Sequence, residues 1–412
     1  MSACATQPSL TVQNVKGFVG APDPVIQKAG QNVLENGGNA ADAMAAMLFT
    51  GSAVLPSRMG LGAGGVCQVL DPSVGRVKTL HFMSLPTAEK SLVGIPGLAR
   101  GVYALQNAYG VLRWNAVLSD AVHKATNGVS VSDQLARDIL ATPQLDSSWR
   151  TLKKGDILFQ KDLAKTLRSV SRSGSGVLYK DETAQSLTAQ GVEVSSDRLK
   201  SFRATWMDSM DVSWVKGKTY FVNPTYLSSD GYSIWKNLTN TTNFEKRAKG
   251  REKLEKLEKQ SAENSRDFKG VGLFAGDDSG LNIVCTISMG RLFGNGQMMK
   301  EGFALADAVH REKDASYFMN VMQTNPDMTD VYWIGAGVGT FGLVDGLNML
   351  EGTLMNDRQI DQQAIEQAKK LTQTRQEDLQ NFVFWGCDKG YPNQPGSCEK
   401  GMNMISVLRK NN

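Results

Sequence analysis

The sequence predicts an α+β protein, and three observations carry the prediction. Helix-patterned and strand-patterned blocks follow one another without a strict βαβ alternation. A segment that is apolar on nearly every face, AADAMAAMLFTGSAVL, leads through a Gly-rich turn into a two-strand signal. A highly charged stretch from about Lys236 to Lys269 separates the first part of the chain from a second group of strand signals. The chain has 412 residues, and a chain of that size buries roughly three quarters of its unfolded surface, so a large core forms without disulfides or metal to hold it.

Each element has a local cause. Asp23 before Pro24 reads as an N-cap with proline in the first helical turn, and Gly37 and Gly38 close that helix. Asn39 caps the apolar segment, which stops before Pro56 and is expected to be buried on all sides. GLGAGG (Gly60 to Gly65) then precedes the strand VCQVL, the turn DPSVG and the strand VKTLHF. From Pro96-Gly97 the text is helical, with a break at Asn127-Gly128; residues 151–200 alternate turns with short helices such as KDLAKTLRSV, DETAQSL and DRLKSF. RATWMDSMDVSWV and KTYFVN read as two strands about a Lys216-Gly217 turn. The charged stretch reads as a solvated helix or a flexible linker. Beyond it, GVGLFAGDDSGLNIVCTISMG reads as two strands about a Gly turn, and the C-terminal part mixes helices with IGAGVGTFG.

Composition excludes several functions. Lys and Arg number 45 against 41 Asp and Glu, a net charge of +4, with no basic stripe interleaved with aromatics of the kind a nucleic-acid groove needs. His81, His123 and His310 are scattered, which argues against a His-rich metal site, and no cofactor is expected. No apolar run approaches the ~18 residues of a membrane-spanning helix. The runs GLGAGG, FGNG and GAGVG lack the strand, spacing and following acid of a nucleotide fingerprint, so close backbone packing accounts for them. Cys387 and Cys398 flank a short Gly/Pro-rich loop suited to a disulfide in an oxidising compartment, worth about 2–4 kcal/mol. Cys67 and Cys285, in apolar strands, are expected as core thiols. Ser2-Ala3-Cys4 is similar to the tail of a bacterial lipobox, which would make Cys4 a lipidated residue and Met1 a late start; an ordinary N-terminus is the alternative. The tail disulfide and the lipobox both point to the cell envelope.

GGNAADAMAAMLF (Gly37 to Phe49) followed by GLGAGGVCQVLD (Gly60 to Asp71) resembles the gamma-glutamyltranspeptidase family. The resemblance continues through GIPGLARGVYALQNAYGVLRWNAVLSDAVHKATNGVSVS (Gly94 to Ser132) and GLNIVCTISMGRLFGNG (Gly280 to Gly296). It implies an N-terminal-nucleophile hydrolase fold, an αββα sandwich. In that family the precursor cuts itself after a charged segment and frees a Thr whose hydroxyl attacks while its own α-amine acts as base. The implied organisation is an N-terminal segment over 1–20, a large-subunit-like region over 21–236, the charged linker over 237–269 and a small-subunit-like region over 270–412.

The chain departs from the family where chemistry is done. The family's Thr-Thr-His falls on Gly270-Val271-Gly272, which has no hydroxyl. The Arg that pairs the substrate carboxylate falls on Met83, which cannot make a bidentate charged contact. Of two later Thr positions, Thr286 is retained and the second is Ser288, while the Asn beyond falls on Gly290. The acidic pair that holds the substrate amine falls near His310-Arg311, reversing the sign. The oxyanion-hole Gly-Gly falls on Val338-Gly339, where backbone amides persist without regard to side chain. Cys285, Thr286, Ser288 and Ser265 have no Lys or His spaced to activate them, and each reads as an ordinary strand or linker residue. The expectation is an uncleaved pseudoenzyme with protein partners in a bacterial periplasmic or outer-membrane assembly, tethered through Cys4. An active transferase using nonstandard residues and a small-ligand module at the old cleft are the other two readings.

Overall fold

The computed structural model describes residues 17–214, 217–222, 230–239, 244–263, 269–309, 318–339, 346–347 and 382–393. Four helices open the architecture: α1 (Pro24–Glu35), α2 (Ala40–Val54), α3 (Pro56–Met59) and α4 (Leu98–Tyr109). Asp23 caps α1 by accepting from the Val25 amide at 2.8 Å, with Pro24 in the first turn. Asn39 and Asp42 form a reciprocal capping box on α2, all fifteen residues of which are buried. Buried Asp42 also accepts from the Val111 and Leu112 amides and from Gln106, which satisfies its carboxylate in the core.

The strands are β1 (Gly17–Gly20), β2 (Gly64–Asp71), β3 (Arg76–Phe82), β4 (Val129–Ser130), β5 (Ile157–Leu158), β6 (Thr205–Asp208), β7 (Met210–Trp214), β8 (Gly217–Phe221), β9 (Lys269–Asp277), β10 (Asn282–Gly290), β11 (Phe318–Thr324), β12 (Val331–Val338) and β13 (Phe382–Tyr391). One sheet runs β1-β9-β10-β2-β3-β6 and a second runs β13-β12-β11-β8-β7, with β4 and β5 forming a separate pair. Every pairing within the two large sheets is antiparallel.

The two sheets pack face to face over Phe18, Leu70, Val77, Phe274, Val284, Met322, Ile334 and Trp385. Alternation along each strand sends the other residues outward. Val271, Leu273, Cys285 and Ile287 meet α2, α3 and α4 in the largest core cluster. Outside the second sheet, Ile234 and Trp235 of helix Asp230–Leu238 and Leu254 of helix Phe244–Glu263 cover Val212, Phe221 and Val321. The result is the αββα sandwich that the family resemblance implies.

Two sequence expectations are corrected. RATWMDSMDVSWV is not one strand: it breaks at Ser209, so that β6 joins the first sheet and β7 the second. The Ser209 hydroxyl meets Thr79 and accepts from Gln68, which holds the crossing point against the first sheet. Cys67 and Cys285 are core residues but not thiols. They face each other in the β2–β10 ladder and form a disulfide spanning 218 residues of sequence. The reading missed this because pairing depends on strand register, which two isolated apolar segments do not reveal. The charged stretch includes an ordered helix, Phe244–Glu263, mostly solvated and held by buried Leu254 and half-buried Leu257.

Candidate active site

The candidate site lies where β9 begins, between β10 and β12. Lys269 and Gly270 are the first two residues of β9, so the backbone passes through their peptide as a strand. Gly270 pairs with Ser288. A Cβ built on Gly270 would fall on the Ile287 carbonyl oxygen and 2.9 Å from both Val338 methyls. Real Cβ contacts do not come that close, so the position expected to hold a nucleophile has no room for a side chain while the Ile287 carbonyl and Val338 stay where they are.

Both nearby hydroxyls are engaged. Ser288 Oγ donates to the Lys269 carbonyl at 2.7 Å and accepts from the Gly290 amide at 2.9 Å. Thr286 Oγ1 donates to Asn320 Oδ1 at 2.6 Å, and Asn320 Nδ2 donates across the sandwich to the Val66 and Val284 carbonyls, each at 3.0 Å. Thr286 and Asn320 are fully buried, so this is a dry tie between the sheets. Cys285 is occupied by its disulfide. Ser265 lies outside the described residues.

Met83 is buried with Val66, Val222, Val309 and Phe318 in an apolar cluster. His81, two residues earlier on β3, is opposite Val66 in the ladder, and burial pushes its imidazole down to about 4, so it is neutral at pH 7. At Gly290, φ is +77° and a Cβ would lie 2.7 Å from Asp307 Cβ. Asp307 is bound there by Arg291 through Nε at 2.9 Å, Nη2 at 2.8 Å and the backbone amide at 2.8 Å. This partner raises the Arg291 pKa. His310 and Arg311 lie outside the described residues. Val338 ends β12 opposite Phe318, and Gly339 follows at φ +84°.

The structure thus brings Gly270, Thr286, Ser288, Gly290 and Val338 together around β9 and β10, with Met83 in an apolar cluster at the end of β3. Val271 points into the helix-side core, and Gly272 sits against Ala336 and Val383 of the second sheet. Cys4 and Cys398 lie outside the described residues; Cys387 is in a disulfide. Sequence reasoning missed Asp307 and Asn320. Asp307 had a signal, as the one acid in GFALAD, whereas Asn320 had none because its partners lie 34 and 254 residues away.

A two-sheet antiparallel sandwich with helices on both outer faces is the architecture of an N-terminal-nucleophile hydrolase fold. Comparison with known proteins agrees. The cephalosporin acylase of Bacillus halodurans superposes with a TM-score of 0.66 over 89% of this chain and 86% of its own, at 17% identity, a likeness of fold. The gamma-glutamyltranspeptidase family profile matches residues 27–260. The glutathione hydrolase proenzyme of Pseudomonas aeruginosa is 28% identical over 50% of this chain and 42% of its own length. That of Escherichia coli is 26% identical over 58% of this chain and 47% of its own. The chain belongs to the gamma-glutamyltranspeptidase family. It spans less than half the length of these two relatives.

Proposed function

We propose that this protein is a gamma-glutamyltranspeptidase-like pseudoenzyme that remains one chain and serves as a structural or binding component of a bacterial cell-envelope assembly. The observation that carries the reading is Gly270, where a hydroxyl is missing and the Ile287 carbonyl oxygen and Val338 fill the space one would need. The rest of the site supports it. The Met83 side chain cannot pair a carboxylate, and Asp307, which stands against Gly290, is already paired with Arg291. On this reading residues 21–236 and 270–412 correspond to the two subunit-like regions, joined through 237–269, with 1–20 as the segment bearing Cys4.

The envelope assignment rests on the cysteines. The Cys67–Cys285 disulfide, and the disulfide at Cys387, fit an oxidising compartment. Attachment to the membrane through a lipidated Cys4 is part of the proposal; among the described residues no helix is long and apolar enough to cross a membrane.

The test pairs intact mass with turnover of a chromogenic gamma-glutamyl anilide. One species near 44.7 kDa and no anilide release are expected. Gly270→Thr alone should lose about 1–3 kcal/mol by overpacking, and Gly270→Thr with Val338→Gly should recover part of that. Two fragments meeting near Gly270, or turnover that a change at Ser288 or Thr286 abolishes, would overturn the reading in favour of a transferase with nonstandard residues. Free thiols at Cys67 and Cys285 in protein from its native host would overturn the envelope assignment.

A further inference from the structure

Arg100 is the third residue of α4 and is half-buried, with its guanidinium carbon 4.0 Å from the centre of the Tyr179 ring. Tyr179 ends the short helix Ser175–Tyr179 and is itself buried, its hydroxyl donating to the Pro96 carbonyl just before α4. The Phe202 ring stacks on Tyr179 at 11° with 5.8 Å between centroids, and Arg203 is the next residue. A buried aromatic pair therefore brings two arginines from distant parts of the sequence together, at a place that shares no residue with the candidate active site.

The arrangement is electrostatically costly. Burial draws the Arg100 pKa below its ordinary value; the like charge of Arg203 pushes the same way, while Tyr179 opposes it. Neither guanidinium forms an ion pair with a described residue, and Asp181, an acid of the same region, is held by Lys200 at 2.6 Å and by Ser196. Arg100 also stands in the first turn of α4, the end of a helix that favours negative charge, and that turn carries no acid. A bound anion would offset the partial burial, the like-charge contact and the misplaced cation together.

The available donors define the ligand. Arg100 Nε is sealed from solvent and takes no part, whereas Nη1 and Nη2 bond to no described residue and stay open to solvent. Arg203 is exposed; its Nη1 donates to the Lys200 and Phe202 carbonyls, and its Nε and Nη2 bond to no described residue. Two guanidinium forks match the several oxygens and double charge of a phosphoryl group, while a single carboxylate fills only one fork. We propose that Arg100 and Arg203 form a binding site for a phosphate dianion, either the free ion or the phosphoryl end of a monoester.

The experiment follows the unfolding midpoint of the full chain at about pH 8, where phosphate is a dianion, with sodium chloride holding ionic strength constant. Inorganic phosphate, glycerol 3-phosphate and acetate are compared. The two phosphates should raise the midpoint saturably with a Kd of about 1–10 mM, and acetate should bind about tenfold more weakly. A tighter response to glycerol 3-phosphate assigns the site to an ester, and a tighter response to inorganic phosphate assigns it to the free ion. Arg100→Gln and, at the exposed position, Arg203→Gln should each weaken phosphate by about tenfold. The second variant keeps the test sound if the first disturbs α4. No saturable shift by about 50 mM, acetate as effective as phosphate, or variants that respond as the parent does, which is the general stabilising action of phosphate on folded proteins, would each overturn the proposal.

Discussion

The two faces of the six-stranded sheet are built to different rules. Toward the helices, Cys67, Val69, Leu80, Phe82, Leu273 and Ile287 share one continuous apolar core with α2 and α4. Toward the second sheet, apolar clusters alternate with polar ties such as Thr286 to Asn320 and Gln68 to Ser209. The candidate site positions Gly270, Gly290 and Met83 belong to this inner side, and Val338 reaches it from the facing sheet. Successive residues of a strand point to opposite faces, so one face can change residue by residue while the other keeps the fold. A change of residue on the inner face therefore need not cost the scaffold.

Substitutions on the two faces should separate these roles. The largest loss is expected behind the helix-side face, where Arg58 of α3 grips Asp138 through Nε at 2.8 Å and Nη2 at 2.9 Å, with Ser57 and Gln134 on the same carboxylate. Arg58→Ala leaves a buried carboxylate uncompensated and should cost about 4 kcal/mol in urea unfolding. On the same face, replacing both Cys67 and Cys285 by Ala should cost about 3 kcal/mol. That disulfide also spans the charged helix, so a protease cut within Phe244–Glu263 should leave two pieces that separate on a denaturing gel only after reduction.

The inner face should respond to acid. The His81 pKa is depressed from 6.5 to about 4 by burial, so between those values the unfolded chain binds more protons than the folded one. Stability should therefore fall by as much as about 3 kcal/mol as pH drops from about 6.5 to about 4, and His81→Gln should flatten that part of the profile. A smaller effect is expected at Asn320. Asn320→Ala strands the Thr286 hydroxyl and two carbonyls and should cost about 2 kcal/mol, whereas Thr286→Ser, which keeps the donor, should cost less.

Much of the fold was legible because its causes are local. Asp23, Pro24 and Asn39 mark helix starts by chemistry that acts within four residues, and the unbroken apolar run of α2 announces burial before any partner is known. The hairpin of β2 and β3 follows from a turn between two apolar runs. The break at Ser209 was not legible, because a strand that changes sheets looks locally like one that does not. The absent hydroxyl at Gly270 could be read directly, but its crowding could not: the atoms that fill the space are the Ile287 carbonyl oxygen and the Val338 methyls, which only folding brings there.

The sequence by itself determined the helix caps, the buried helix, the strand segments and, through its motifs, the family. Only the tertiary structure decided which strands pair, that Cys67 meets Cys285 and that Asp307 takes the space at Gly290. The physical reason is range: capping and periodicity are short-range properties of the chain, whereas register, packing and the satisfaction of buried polar groups arise between residues that only folding brings together.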